Sequence, residues 1–113
     1  MKKARLSAAC RPFLMARFDL YRNPDRGGYL LDVQSDLLSD LNTRVVVPLM
    51  PLDHAPRPAT ILNPVFDIHE IPHVMVTQFL SAVPTGLLRR PAGSMVRQSE
   101  TVTRALDFLY QGF

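Results

Sequence analysis

At 113 residues, with one cysteine and 47% hydrophobic content, the chain has room for one domain with a modest core, and an intramolecular disulfide is excluded. Ten prolines are about twice the usual share, and because a proline inside a helix costs about 3 kcal/mol or more, a helical bundle is excluded too. The formal charge of +3 is unevenly placed: Lys2, Lys3, Arg5 and Arg11 precede any acid, and from Met15 onward nine basic side chains face ten acidic ones, which removes the usual argument for a nucleic-acid-binding body.

Residues 1–14, MKKARLSAACRPFL, begin like a secretory signal but contain no apolar stretch of about 7–15 residues. They are expected to be a disordered leader or to lie upstream of a true start at Met15, with the folded domain over residues 15–113. No window approaches the roughly 20 apolar residues of a membrane helix. The expected address is cytoplasmic, with no membrane partner.

From Arg17 to Arg22 polar and apolar residues alternate with the period of two of a half-buried strand. Asn23 to Gly28 supplies turn chemistry, and Tyr29 to Ser35 predicts the return strand of a hairpin. Asp36 to Thr43 predicts a surface loop offering Leu37 and Leu38. Arg44 to Leu49 reads as a short strand that Pro48 places at an edge, a bulge or a strand end. Pro51, Pro56 and Pro58 predict an irregular stretch. A strand pair over Ile61 to His69 and Val74 to Leu80 follows, joined across Glu70-Ile71-Pro72, and then a loop through Pro84, Gly86, Pro91 and Gly93. Met95, Val102, Leu106 and Leu109 predict the stripe of an amphipathic C-terminal helix, capped by Ser94 and stopped at Gly112. The sum is a mainly β fold, a small partly open barrel of about five strands closed by one C-terminal α-helix.

His69-Glu70-Ile71-Pro72-His73 satisfies the HExxH pattern of zinc proteases, whose mechanism needs both imidazoles one helical turn apart. Its flanks are strand-forming and Pro72 disfavours helical geometry at Ile71, so the expectation is a turn between strands and no metal. Asp32, Gln34 and Asp36 share one face of a strand; with no histidine or second pair of acids tied to them by spacing, the expectation is a solvated outer face or an interface rim rather than acid–base chemistry. Cys10, beside Arg11, reads as an incidental thiol, and Arg89-Arg90 as solvated loop. Neither catalytic residues nor a cofactor are expected. Phe108, Tyr110 and Phe113 place three rings within six residues of the chain's end. One helical face cannot bury all three, so some are expected to be exposed or given to a partner.

Asp32-Val33-Gln34-Ser35-Asp36, Arg44-Val45-Val46-Val47-Pro48-Leu49, Asn63-Pro64-Val65, Val83-Pro84 and the ending Tyr110-Gln111-Gly112-Phe113 together resemble the CcdB family of toxins from about Phe18 to the last residue. The resemblance implies a homodimer with an SH3-like barrel in each subunit and no catalysis. It also implies binding to the DNA gyrase A subunit, which traps the enzyme on cleaved DNA, and neutralisation by a CcdA-type antitoxin that, with the toxin, represses the operon. Contact with DNA would be indirect, through that antitoxin complex. The gyrase-binding positions carry over to Gln111, Gly112 and Phe113, where the family ends in Trp-Gly-Ile. The antitoxin-facing positions carry over to Leu37, Leu38, Asp107, Tyr110 and Gln111, with Asp107 replacing an asparagine and Tyr110 a phenylalanine. Two alternatives follow: a dimer that binds antitoxin and has lost gyrase poisoning, and an endoribonuclease of the MazF and Kid type, since one fold serves several functions.

Overall fold

The computed structural model describes residues 16–25 and 27–112. Seven antiparallel strands form one curled, open half-barrel sheet: β1 (Asp19–Arg22), β2 (Tyr29–Asp32), β3 (Thr43–Pro51), β4 (Val65–Ile68), β5 (Ile71–Met75), β6 (Ser81–Pro84) and β7 (Gly93–Ser94), followed by α1 (Ser99–Gln111). The order is β4-β5-β3-β2-β1-β7, with β6 pairing the first half of β3. The expected mainly β, partly open barrel with one terminal helix is the fold that forms, with seven strands where about five were expected, because β6 and β7 are short pairings within the expected loop. The expected leader and Cys10 lie outside the described residues.

Alternation sorts the side chains. Leu20, Leu31 and Val47 stand in register across β1, β2 and β3 and face the main core, where Leu49, Met75 and the α1 residues Val102, Ala105 and Leu106 join them. Their neighbours Tyr21 and Leu30 turn to the opposite face, packing with Val46, Val83 and Leu88. The helix is thus held by the burial of its inner stripe.

Pro48 does not mark an edge. It sits in the middle of β3, the central strand, opposite Leu30 on β2. On its other side β3 changes partner: β6 pairs residues up to Val46 and β5 begins at Leu49. The Pro48 carbonyl accepts from the Val76 N–H at 3.0 Å. Because a residue's nitrogen and carbonyl leave a strand on the same side, the missing N–H falls in that gap and no ladder bond is lost.

The β1–β2 turn closes with Asn23 N–H donating to the Gly28 carbonyl at 3.1 Å. Gly28 has φ +73° and is pressed so closely on the Leu49 carbonyl that a Cβ would collide with it. Gly28→Ala is expected to cost about 2–4 kcal/mol, the left-handed penalty plus a forced shift of β3. Urea unfolding checks this; a loss below about 1 kcal/mol would mean that the turn relocates freely.

The second hairpin is shorter than the sequence suggested. His69 and Glu70 both have positive φ, 52° and 67°, as a two-residue primed turn requires, and strand pairing starts at once with Ile68 opposite Ile71. Of the HExxH residues, His69 and Glu70 therefore form the turn and Ile71, Pro72 and His73 open β5, with His73 buried against Tyr29 (ring centroids 5.3 Å). Past β5 the chain makes a 3-10 turn (Thr77–Phe79) rather than continuing as strand, and β6 and β7 lie in the expected loop. The helix starts at Ser99, after a 3-10 turn (Val96–Gln98), so Met95 is a core residue outside it. Ser94 accepts from the Val96 N–H at 3.3 Å without capping α1, whose N-cap is Gln98.

Candidate functional site

Two sets of residues with binding chemistry stand on different elements. The first is the end of α1. Asp107, Tyr110 and Gln111 are exposed and, at spacings of three and four, share one side of the helix. Tyr110 keeps 65% of its surface, a large ring left in water while the inner stripe is buried. Phe108 is half-buried, and Phe113 lies outside the described residues. Gly112, at φ 80°, donates its N–H to the Phe108 carbonyl at 2.9 Å. This left-handed cap ends α1. Asp107 also borders a shallow recess of about 390 Å³ with Ser99, Glu100, Thr103 and Arg104.

The second set is the loop from β2 to β3, which opens with a 3-10 turn (Asp36–Leu38). Leu37 is 94% exposed, and Leu38 and Leu41 each keep about half of their surface. The sequence reading named Leu37 and Leu38 and missed Leu41, although its spacing of three from Leu38 was visible. Outside the core, α1 packs on the turns Thr77–Phe79 and Val96–Gln98.

Behind the loop lies a polar cluster that corrects the expected solvated face. Asp32 and Gln34 are buried, and Asp36 alone of the three is exposed. Arg44, at 1% exposure, donates Nε to Asp32 Oδ2 at 2.8 Å and Nη2 to Asp32 Oδ1 at 2.9 Å. The Gln34 N–H also donates to Asp32 Oδ1, at 3.0 Å. The pairing was missed because its arginine stands twelve residues on, at the head of an apolar strand; an isolated cation there was the available signal.

Asp19, near this cluster, bonds its Oδ2 to the Ala16 N–H at 3.1 Å. Burial pushes the carboxyls of Asp19 and Asp32 up, against the pull of the Ala16 N–H in one case and of Arg44 and the Gln34 N–H in the other. Burial also pushes the Tyr21 phenol up, and the charges of Asp19 and Asp32 add to it. A carboxyl raised in the folded state binds more protons there than in the unfolded chain between the two pKa values, so its contribution to stability falls as pH rises through that window. Asp19→Asn, whose amide oxygen still accepts from Ala16, is expected to raise stability at pH 7 and to flatten this part of the profile. Urea midpoints from pH 4 to pH 7 check this, and a steeper slope in the variant would contradict it.

On the sheet face opposite the main core, a further apolar recess of about 420 Å³ is lined by Leu30, Pro48, Met50, Phe79, Val83 and Leu87, and nothing in the sequence reading pointed to it. Among the described residues no group of three or more His, Cys, Asp or Glu is placed to hold a metal, and no helix is long and apolar enough to cross a membrane.

The described residues define a small mainly β protein, a half-barrel with a terminal helix, that leaves leucines of one loop and an aromatic ring near the helix end in water. The chain belongs to the CcdB family, toxins of toxin–antitoxin modules: the family model described as CcdB protein matches residues 17–112. No curated protein matches it.

Proposed function

We propose that this toxin acts on the DNA gyrase A subunit, docking through Gln111, Gly112 and Phe113 and trapping the enzyme on cleaved DNA. In this reading it works as a homodimer in the cytoplasm, with no catalysis and no cofactor of its own. A CcdA-type antitoxin binding Leu37, Leu38, Asp107, Tyr110 and Gln111 neutralises it, and DNA is reached only through that complex. The observation that carries the reading is the end of α1 within a family match that extends to residue 112: an exposed Tyr110 followed by a left-handed Gly112 that caps the helix.

The test compares the full chain with one ending at Tyr110, measuring binding to the gyrase A subunit and accumulation of cleaved DNA. The full chain is expected to bind and trap, and the shortened one to do neither. Failure of both to bind, with dimers intact, overturns the reading. Gln111, standing where the family has tryptophan, favours a second reading: a dimer that keeps its antitoxin and has lost its target.

The toxin domain spans residues 15–113 in this proposal, with residues 1–14 dispensable. A chain begun at Met15 is expected to unfold within about 4 °C of the full chain, which is less than about 1 kcal/mol for a domain of this size. A larger drop in Tm would assign residues 1–14 a packing role.

A further inference from the structure

We infer that the loop over residues 35–41 is a preformed three-leucine docking surface, in which Leu41 is a third contact beside Leu37 and Leu38 and the buried amide of Gln34 is the positioning residue that fixes all three. The occupant is an apolar segment of the antitoxin, and in this the inference rests on the antitoxin reading proposed above.

The geometry of Gln34 carries the argument. Its Nε2 donates to the Leu38 carbonyl at 2.9 Å and its Oε1 accepts from the Val45 N–H at 3.1 Å, so one side chain ties the loop to β3. The amide cannot be flipped, because that would set its NH₂ against the Val45 N–H and its oxygen against the Leu38 carbonyl. Nor can it swing away: its own backbone N–H is bound to Asp32, and its carbonyl faces Nη2 of Arg44 at 3.4 Å. Glutamate has the length but lacks the donor, and asparagine is one methylene short.

The rest of the loop is tied just as locally. Ser35 Oγ accepts from the Leu37 N–H at 3.2 Å, and the Ser35 carbonyl accepts from the Leu38 N–H at 3.0 Å. The Leu38 carbonyl takes a second bond, from the Leu41 N–H at 3.1 Å. The 3-10 turn ends at Leu38 with Ser39 as its cap, and the Leu41 bond closes a further turn onto Leu38, so three leucines exposed to water stand within one short, bonded loop. Asp36 Oδ1 accepts from the Arg17 N–H at 2.8 Å and pins the start of the loop.

Three apolar side chains held in water on a rigid loop are poor for solubility and good for binding, because the ordering entropy is already spent before a partner arrives. Asp36 and Asp40 flank the leucines, and no basic residue lies between Ser35 and Thr43. The charge complement is a segment whose apolar residues are flanked by lysine or arginine.

The test titrates the antitoxin of the same operon into the full-length dimer by calorimetry. Leu41→Ala is expected to weaken binding about tenfold with Tm unchanged, as for a contact at an exposed interface position. Gln34→Glu is expected to weaken it about tenfold as well. In the Leu41→Ala background, Gln34→Glu is expected to cost about fivefold or less, because the share of its effect that acts through Leu41 is already lost. Full multiplicativity would show Gln34 to be merely structural and would overturn its role, as would unchanged affinity in Leu41→Ala for that residue. Where Gln34→Glu does not fold, hydrogen exchange in the native dimer decides: the Leu41 amide must be protected, and exchange at the free-peptide rate overturns the preformed loop. Leu37→Asp separates the two levels. If it leaves antitoxin binding intact, the antitoxin reading itself fails; if it abolishes binding while Leu41→Ala and Gln34→Glu are silent, the present inference alone fails.

Discussion

Arg44→Met is expected to destabilise the protein by about 3–5 kcal/mol, because it removes one partner of a fully buried pair and leaves the Asp32 carboxylate without its counter-ion. Asp32 is completely buried and Arg44 nearly so, so water cannot take over the lost bonds. At roughly 4–8 °C per kcal/mol for a domain near 100 residues, Tm should fall by about 12–40 °C, and much of a typical stability of about 5–15 kcal/mol disappears. The pair is nonetheless no large net source of stability: burial raises the Asp32 carboxyl in spite of Arg44, and one guanidinium nitrogen, Nη1, is buried without a partner among the described residues. The double variant Asp32→Asn with Arg44→Met should therefore be less destabilised than the sum of the two single variants by more than about 1 kcal/mol, since it strands no charge. Urea denaturation of all three, with unchanged m-values, measures this. Additivity within about 0.5 kcal/mol would mean that the two side chains act independently.

The same pair shows where the sequence is readable and where it is not. Period two located β1 and β2 because their alternating residues face opposite sides of a sheet, and the stripe of Val102 and Leu106 located the helix because its inner face is buried. Local composition could not show that Pro48 falls where β3 exchanges β6 for β5, since that gap exists only once three distant segments have paired. Nor could it tell whether Asp32 and Gln34 face water or Arg44, because the alternation of a strand says which side chains share a face and not what covers that face. The helix start moved from Ser94 to Ser99 for a similar reason. β7 takes Gly93 and Ser94 into the sheet beside β1, and a pairing of two residues leaves no trace in hydrophobic periodicity. At the candidate site Leu37, Leu38 and the aromatic helix end were legible from local composition and from the resemblance to a family, whereas Leu41 was not. The amide that holds the leucines in place became visible only when Leu38 and Val45 were brought to either side of it.

Gln111→Trp is the change with the largest expected effect on function. A buried aromatic anchor at the centre of an interface is worth about 2–4 kcal/mol, or roughly 30- to 700-fold in affinity. Glutamine does not supply this by burial, because its amide must find hydrogen-bond partners to offset its desolvation. At position 111 the side chain is already exposed on the last turn of α1, next to Tyr110 and ahead of the left-handed Gly112, so an indole fits there without disturbing the core. Binding to the gyrase A subunit, measured by calorimetry, should strengthen from the native chain to Gln111→Trp and vanish in a chain lacking residues 111–113. Tyr110, with most of its ring in water, is the residue expected to carry the native chain's weaker stacking, and Tyr110→Ala should reduce that affinity further while leaving Tm within about 4 °C, an exposed-site effect below about 1 kcal/mol. If Gln111→Trp binds no better than the native chain and neither is weakened by loss of the terminus, the helix end is not the contact. If only Gln111→Trp binds, the native protein has kept the scaffold of a gyrase poison and lost its anchor, and its remaining partner is the antitoxin.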